Sequence, residues 1–265
     1  MDPIDSPPDT AMQTQTSCRT ASLPTAHRPA STDLAALSSG QRIADTLKLV
    51  ATVLEPKRRV VHAGDVIYRA GESFSQLHIL NAGLFKLLSM SAEGREQVVG
   101  LRFRGDWLGF SAIAEGSYAC DAIAMDTGEV WSVRYDALLR ACGRHPELMA
   151  IVHAAMSHEI VRDRDALIAM CTLPADARVV AFLQYWADAL AVRGLRTDQI
   201  SLRLTRAEIG NYLGLTLETV SRVLSKLARA RLIAFHEKNR RDIYIPDFHA
   251  LDAFVQRREE AVGLH

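Results

Sequence analysis

The spacing of apolar positions changes character several times along the chain. Residues 1–32 are rich in Pro, Ser, Thr, Asp and Gln and show no apolar period, so they read as a disordered tail with little to bury. Ile43, Leu47, Val50 and Leu54 then recur at helical steps, predicting a helix over Leu34 to Leu54. From Pro56 to Val133 the apolar runs become short: Leu77–Leu80, Leu84–Leu88, Val98–Leu101 and Val130–Val133. They are punctuated by Gly64, Gly71, Gly83, Gly94, Gly100, Gly105, Gly109, Gly116 and Gly128. Short strands at such regular spacing predict a compact antiparallel barrel or roll.

After Gly143 the glycines stop and the helical period returns. Pro146 suits the first turn of a helix. Met149, Val152, Met156, Ile160, Asp163, Leu167 and Met170 form one stripe at three- and four-residue steps. A long helix of this kind between two domains predicts a dimer seam, the alternative being that the stripe packs on the roll. Asp163 falls on the stripe between Ile160 and Leu167. Across a two-fold axis it would face its own copy and repel it, unless it lies off the seam and pairs with the partner's Arg162 or Arg164. Pro174 ends this helix. Helices over Asp176–Arg193, Arg206–Leu213 and Leu217–Arg229, a hairpin over Leu232–Ile245 and a last helix from Ala250 to Ala261 complete the pattern. The fold class is α+β, with no internal repeat.

The segment 205–227 carries a specific local logic. Thr205 followed by Glu208 is a capping box opening the first helix. Ile209 and Leu213 bury one side of it. Gly210 is small where two helices must cross, Gly214 suits a turn of positive φ, and Leu215 plugs the corner. Thr216 can cap the second helix, whose inner side is Val220, Val223, Leu224 and Leu227. Leu217, Glu218, Ser221 and Arg222 are left on the outer side of its first turns, which reach base edges when a recognition helix enters the major groove. Arg222 suits guanine, Glu218 can accept from cytosine N4, and Ser221 can approach a base or a thymine methyl. This is a helix-turn-helix, and the basic hairpin tip behind it, with Lys238, Arg240 and Arg241, reads as a wing meeting phosphates. Arg206, Thr216, Thr219 and Lys226 are further candidates for backbone positioning. The other reading of these charges is an ordinary solvated, salt-bridged surface.

The chain thus divides into a tail (1–32), a β-roll domain with an N-terminal helix (33–135), a dimerisation helix (136–172) and a C-terminal winged helix-turn-helix (173–265). Net charge supports this only locally. Lys plus Arg and Asp plus Glu both number 31, yet between Ser201 and Ile245 nine bases face four acids. Cys18, Cys120, Cys142 and Cys171 share no C-x-x-C spacing, which argues against a zinc ribbon and fits reduced thiols in a cytoplasmic protein. No apolar run is long enough for a membrane span, and no signal peptide pattern opens the chain.

The order of glycine-rich roll, long helix and winged helix-turn-helix resembles the CRP/FNR superfamily of bacterial transcription regulators over about residues 40–250. The run Ile209-Gly210-Asn211-Tyr212-Leu213-Gly214-Leu215-Thr216-Leu217-Glu218-Thr219-Val220-Ser221-Arg222 resembles the FNR and FixK branches. Gly105-Asp106-Trp107-Leu108-Gly109-Phe110 is similar to a turn of that family. The resemblance implies a cyclic-nucleotide-binding-like roll and a homodimer on an inverted repeat similar to TTGAT-N4-ATCAA, read by Glu218, Ser221 and Arg222. It also implies activation through RNA polymerase, often in metabolism under low oxygen. Leu217 stands where the CRP branch has a base-reading Arg, so a CRP-type site is not expected. It further implies that an acid at Asp163 restrains dimerisation.

The sensing half departs from the family. An FNR-type iron–sulphur cluster needs four thiolates; the tail supplies Cys18 alone, and Trp131 occupies the matching roll position. Cyclic AMP needs a Gly-Glu and an Arg-Ser pair, where this chain has Gly109-Phe110 and Tyr118-Ala119-Cys120. Without the Arg the cyclic phosphate has no fork partner. A [4Fe-4S] cluster and cyclic AMP are therefore both disfavoured; haem, through one of His62, His78, His145, His153 and His158, a different nucleotide, a thiol switch, or no ligand stay open. Two other classes compete. A cupin-like metalloenzyme would need clustered ligands on neighbouring strands, and the roll offers His62 and His78 without a His-x-His pair. A cyclic-nucleotide-like sensor acting through a protein partner would not need a helix-turn-helix.

Overall fold

In the computed structural model residues 32–236 and 239–254 are described, with the side chains of 32–38, 239 and 240 excepted. The tail expected over 1–32 lies outside the described residues up to 31. Helix α1 (Thr32–Leu54) leads into strands β1 (Lys57–Val61), β2 (Val66–Tyr68), β3 (Gln76–Ala82), β4 (Phe85–Met90), β5 (Glu96–Arg102) and β6 (Trp107–Leu108). A short helix α2 (Ala112–Glu115) precedes β7 (Asp121–Ala124) and β8 (Gly128–Arg134). These strands form two four-stranded sheets, ordered β1-β8-β3-β6 and β2-β7-β4-β5, in which all neighbouring strands are antiparallel.

The four apolar runs of the sequence are β3, β4, β5 and β8. The pattern did not reveal β1, whose five residues are exposed except Val61, nor the short β2, β6 and β7. Between the sheets Leu80, Phe85, Leu108, Ala122 and Val130 are almost fully buried. On the other side of the first sheet, Leu47 and Val50 of α1 meet Leu77, Ile79, Trp107 and Trp131.

One helix was expected from 136 to about 171; two are present. Helix α3 (Tyr135–Cys142) stops at Gly143, and α4 (Pro146–Thr172) starts at a proline whose missing N–H is no loss in the first turn. Helix α5 (Ala175–Ala191) follows Pro174. The last unit contains β9 (Gln199–Ser201), α6 (Arg206–Leu213), α7 (Leu217–Arg229), β10 (Ala234–His236) and β11 (Asn239–Tyr244). The expected two-stranded wing is in fact a sheet of three, ordered β10-β11-β9, because Asp242, Ile243 and Tyr244 also pair with Ser201, Ile200 and Gln199. A further helix covers 248–254, and the remainder of the helix expected to Ala261 lies outside the described residues.

The roll and the last unit share apolar contacts. Leu101 and Phe103 join the cluster of Phe182, Trp186, Ile209, Val220 and Leu224, and Phe103 meets Trp186 edge-on with ring centres 5.6 Å apart. Asp106 in the turn before β6 takes Arg162 of α4 at 3.1 Å and Arg193 at 3.4 Å. That acid therefore ties roll, long helix and last unit to one point.

Candidate nucleic-acid interface

The local chemistry of α6 and α7 is built as the spacing predicts. Thr205 Oγ1 accepts from the Glu208 amide at 3.2 Å, while Glu208 Oε2 accepts from the Thr205 amide at 2.8 Å. Gly214 closes α6 with φ +64, a conformation that costs an L side chain energy. Gly210 is enclosed: a Cβ there would lie 2.6 Å from the Leu215 carbonyl oxygen. Thr216 caps α7 by accepting from the Thr219 amide at 3.2 Å. Val220, Val223, Leu224 and Leu227 are buried, which fixes the rotation of α7.

That rotation leaves Leu217, Glu218 and Arg222 exposed and Ser221 half-buried on the outer side. Glu218 is held below the usual carboxylate range by its own backbone amide at the helix start, then by the Thr216 hydroxyl and the Arg222 charge. It stays ionised, an acceptor rather than a donor.

The candidate positioning residues are not alike. Thr216 and Thr219 sit at the start of α7, with their hydroxyls 3.0 Å apart. Arg241 is exposed on β11. Arg206 is half-buried with its guanidinium 5.3 Å above the Phe235 ring, so it also holds the wing against α6. Lys226 departs from expectation. Its ammonium lies 2.6 Å from Asp176 of α5 and 5.2 Å from the centre of the Phe254 ring, so an internal ion pair engages the charge expected for phosphate. Lys238 and the side chain of Arg240 lie outside the described residues.

Two contacts to the roll carried no local signal. Lys86 of β4 pairs with Glu208 at 2.5 Å. Burial alone would raise the Glu208 carboxyl, but Lys86 and the Thr205 amide and hydroxyl outweigh it and hold it low. Asn211 of α6 bonds to the edge of β5 through its side-chain amide.

The stripe on α4 splits in two. Val152 is buried and Met149 and Met156 are half-buried against the roll cluster, so these three belong to the protomer interior, a correction to the continuous seam. Ile160 and Leu167 are 65% and 57% exposed, and Met170, Val161 and Ile168 are also exposed. Asp163 is exposed within this bare half. Arg162 turns the other way, to Asp106.

Inside the roll Tyr118 stacks on Tyr68 with ring centres 3.9 Å apart, and its hydroxyl donates to the Gln76 carbonyl at 2.6 Å. His78 is 6% exposed, with Nδ1 2.9 Å from the Ser132 hydroxyl. Burial, then the Arg59 charge, lowers its pKa to about 4, so it is neutral at pH 7. His62, His153 and His158 are exposed and His145 is half-buried. Cys120 and Cys142 are buried and Cys171 is exposed; burial pushes the Cys120 thiol up to about 11. Trp131 is buried under Arg58, 4.7 Å from its ring centre. No three His, Cys, Asp or Glu side chains among the described residues converge as a metal site.

Residues 58–145 match the cyclic nucleotide-binding domain family, and residues 177–254 match the Crp-like helix-turn-helix domain family. The fumarate and nitrate reduction regulatory proteins of Yersinia pestis and of Escherichia coli (strain K12) are each 31% identical to this chain over 182 residues, 69% of it and 73% of their own length. The chain belongs to the CRP/FNR family of transcription regulators. The solved structure of FixK2 from Bradyrhizobium japonicum superposes with a TM-score of 0.67 at 25% identity, covering 75% of this chain and 96% of that one. A transcriptional regulator of the CRP family from Thermus thermophilus shares the fold at TM-score 0.61 and 23% identity, covering 74% of this chain and 95% of its own.

As a CRP/FNR regulator the chain is a DNA-binding protein, and α6 and α7 are its helix-turn-helix. Relatives of this family are regulators rather than enzymes, which removes the metalloenzyme reading. No helix among the described residues is long and apolar enough to cross a membrane.

Proposed function

We propose that the chain activates transcription in the cytoplasm as a homodimer on an inverted repeat similar to TTGAT-N4-ATCAA, contacting RNA polymerase from that site. One observation carries the reading: the first turns of α7 present Glu218, Ser221 and Arg222 outward beside an exposed Leu217. Arg222 pairs with guanine O6 and N7, Glu218 accepts from cytosine N4, and Ser221 packs on the next base. Thr216, Thr219, Arg206 and the wing arginines set the register on phosphates. The exposed Ile160 and Leu167 support the homodimer, since a second copy of α4 would remove both from water. The likeness to fumarate and nitrate reduction regulators supports target genes of respiratory metabolism.

A four-thiolate cluster does not fit this chain. Cys120, just before β7, and Cys142, at the end of α3, are buried, and by the resemblance Trp131 occupies the roll position of an FNR ligand. Cyclic AMP is disfavoured as well, because Tyr118-Ala119-Cys120 stands where the resemblance leads one to expect an arginine–serine pair, which leaves the cyclic phosphate without a fork partner. Either a signal of another kind acts on the chain or none does.

A gel shift at two salt concentrations tests the reading. The duplex repeat should be bound in a salt-sensitive way, and Arg222→Ala should lose the preference for guanine, a change of about 1–3 kcal/mol. Equal binding of the repeat and a scrambled duplex overturns it.

A further inference from the structure

Polar ties run from the roll to α6 at three successive points. Asp126, in the turn between β7 and β8, takes Arg203 just ahead of α6 at 2.9 Å. Lys86 of β4 takes Glu208 in the first turn of α6 at 2.5 Å. The edge of β5 takes Asn211 in the second turn, through the Val98 amide, the Glu96 carbonyl and the Gln97 side chain. We propose that these ties select the spacing between half-sites, with Lys86 as the chief positioning residue. This rests on the proposed homodimer and repeat, and adds what makes a four-base spacer the preferred one.

The other links between the two units leave rotation open. From α4 to α5 the chain passes through Leu173 and Pro174, both extended, with ψ of 139° and 161°. Such a joint turns about few soft dihedrals. Asp106 anchors Arg193 beyond the far end of α5, which gives a pivot. The packing of Leu101 and Phe103 on the apolar cluster of the last unit is non-directional. Charge-assisted hydrogen bonds are short and angle-dependent, so the ties to α6 supply the second fixed point.

Lys86 and Glu208 form the strongest of these ties. Their side chains are 18% and 29% exposed, against 48% and 41% for Arg203 and Asp126, and an exposed pair contributes little. The same Glu208 carboxylate closes the cap of α6 on the Thr205 amide. One carboxylate thus joins β4 to the start of the helix that carries α7.

Spacing is where such rigidity would show. Each added base pair moves the second half-site by about 3.4 Å and turns it by about 35°. A module held at two points cannot follow that turn, whereas one held only at the pivot can.

Gel shifts of the full chain on duplex repeats with spacers of three, four and five bases test this. The wild-type chain should prefer four by roughly a hundredfold. Lys86→Met and Glu208→Gln cut the same tie while changing charge in opposite directions, and glutamine can still close the cap. Each should lower the preference roughly tenfold, and the double variant should do no more than either. Simple destabilisation would weaken all three duplexes alike. A preference unchanged in both variants, changes of opposite sign that follow the charge, or a wild-type chain indifferent to spacing overturns the proposal. Arg222→Ala should weaken all three duplexes together, so base reading is scored separately from spacing.

Discussion

The side-chain amide of Asn211 pairs with the backbone at Val98 much as a neighbouring strand would. Its Oδ1 accepts from the Val98 amide at 2.5 Å and its Nδ2 donates to the Glu96 carbonyl at 2.6 Å. Gln97 adds a 2.5 Å bond from its side chain to the Asn211 carbonyl. A helix of the DNA-binding unit thus supplies the partner that the edge of β5 would otherwise lack, while Lys86 grips Glu208 one turn earlier. Roll and recognition module are thereby coupled through polar bonds as well as through the shared apolar cluster.

Asn211→Leu should therefore cost about 1–3 kcal/mol, because it removes two bonds and strands the Val98 amide. Urea unfolding would report the loss. Hydrogen exchange at Val98 should accelerate while amides of β3 stay protected. Unchanged exchange at Val98 would mean that solvent satisfies that edge equally well.

Gly210→Ala tests the crossing of α6 and the turn after it. The added methyl would meet the Leu215 carbonyl oxygen at 2.6 Å, and backbone must move to relieve it. A loss of about 1–3 kcal/mol is expected, with DNA affinity falling at temperatures where the roll still gives its native near-ultraviolet signal. A variant of native stability and affinity would show that the turn is softer than its packing implies.

The bare half of α4 makes opposite predictions for two neighbours. Ile160→Glu should shift the protein to monomers, since burying each such side chain is worth about 1.5–3 kcal/mol and the charge reverses it. Asp163→Ala should tighten dimerisation by removing facing carboxylates. Sedimentation equilibrium measures both. An unmoved constant for Asp163→Ala would place that residue off the seam, and an unmoved one for Ile160→Glu would remove the seam from this half of the helix.

Acid should weaken the roll through His78. Its folded pKa is about 4, below the 6.5 of a free imidazole. The unfolded chain therefore binds the extra proton first, and the contribution of neutral His78, complete above pH 6.5, is lost as pH falls toward 4. The loss across that window is roughly 3 kcal/mol. His78→Gln should flatten the dependence of the unfolding midpoint on pH between 6.5 and 4; a curve of unchanged slope would assign the acid sensitivity elsewhere.

The recognition module was legible because its determinants are local. The Thr205–Glu208 cap, the Gly214 turn, the Thr216 cap and the inner face of α7 are all set by residues within a few positions of one another. Arg222 and Glu218 could be placed outward as soon as that inner face was known. The four strongest strands were legible for a similar reason, as short apolar runs between glycines. β1 was not, because four of its five residues face water, and β9 was not, because its pairing with β11 joins residues some forty positions apart.

The stripe on α4 marks the limit most clearly. The sequence by itself determined that one side of this helix is apolar, since periodicity encodes which face avoids water. Only the tertiary structure decided what covers it: the roll takes Met149, Val152 and Met156, and leaves Ile160 and Leu167 bare. The same holds for charge. Sequence counted Lys226 among the phosphate-facing bases, and α5 brought Asp176 to it across fifty residues. A local pattern fixes what a side chain requires, whereas its partner depends on where distant segments come to rest.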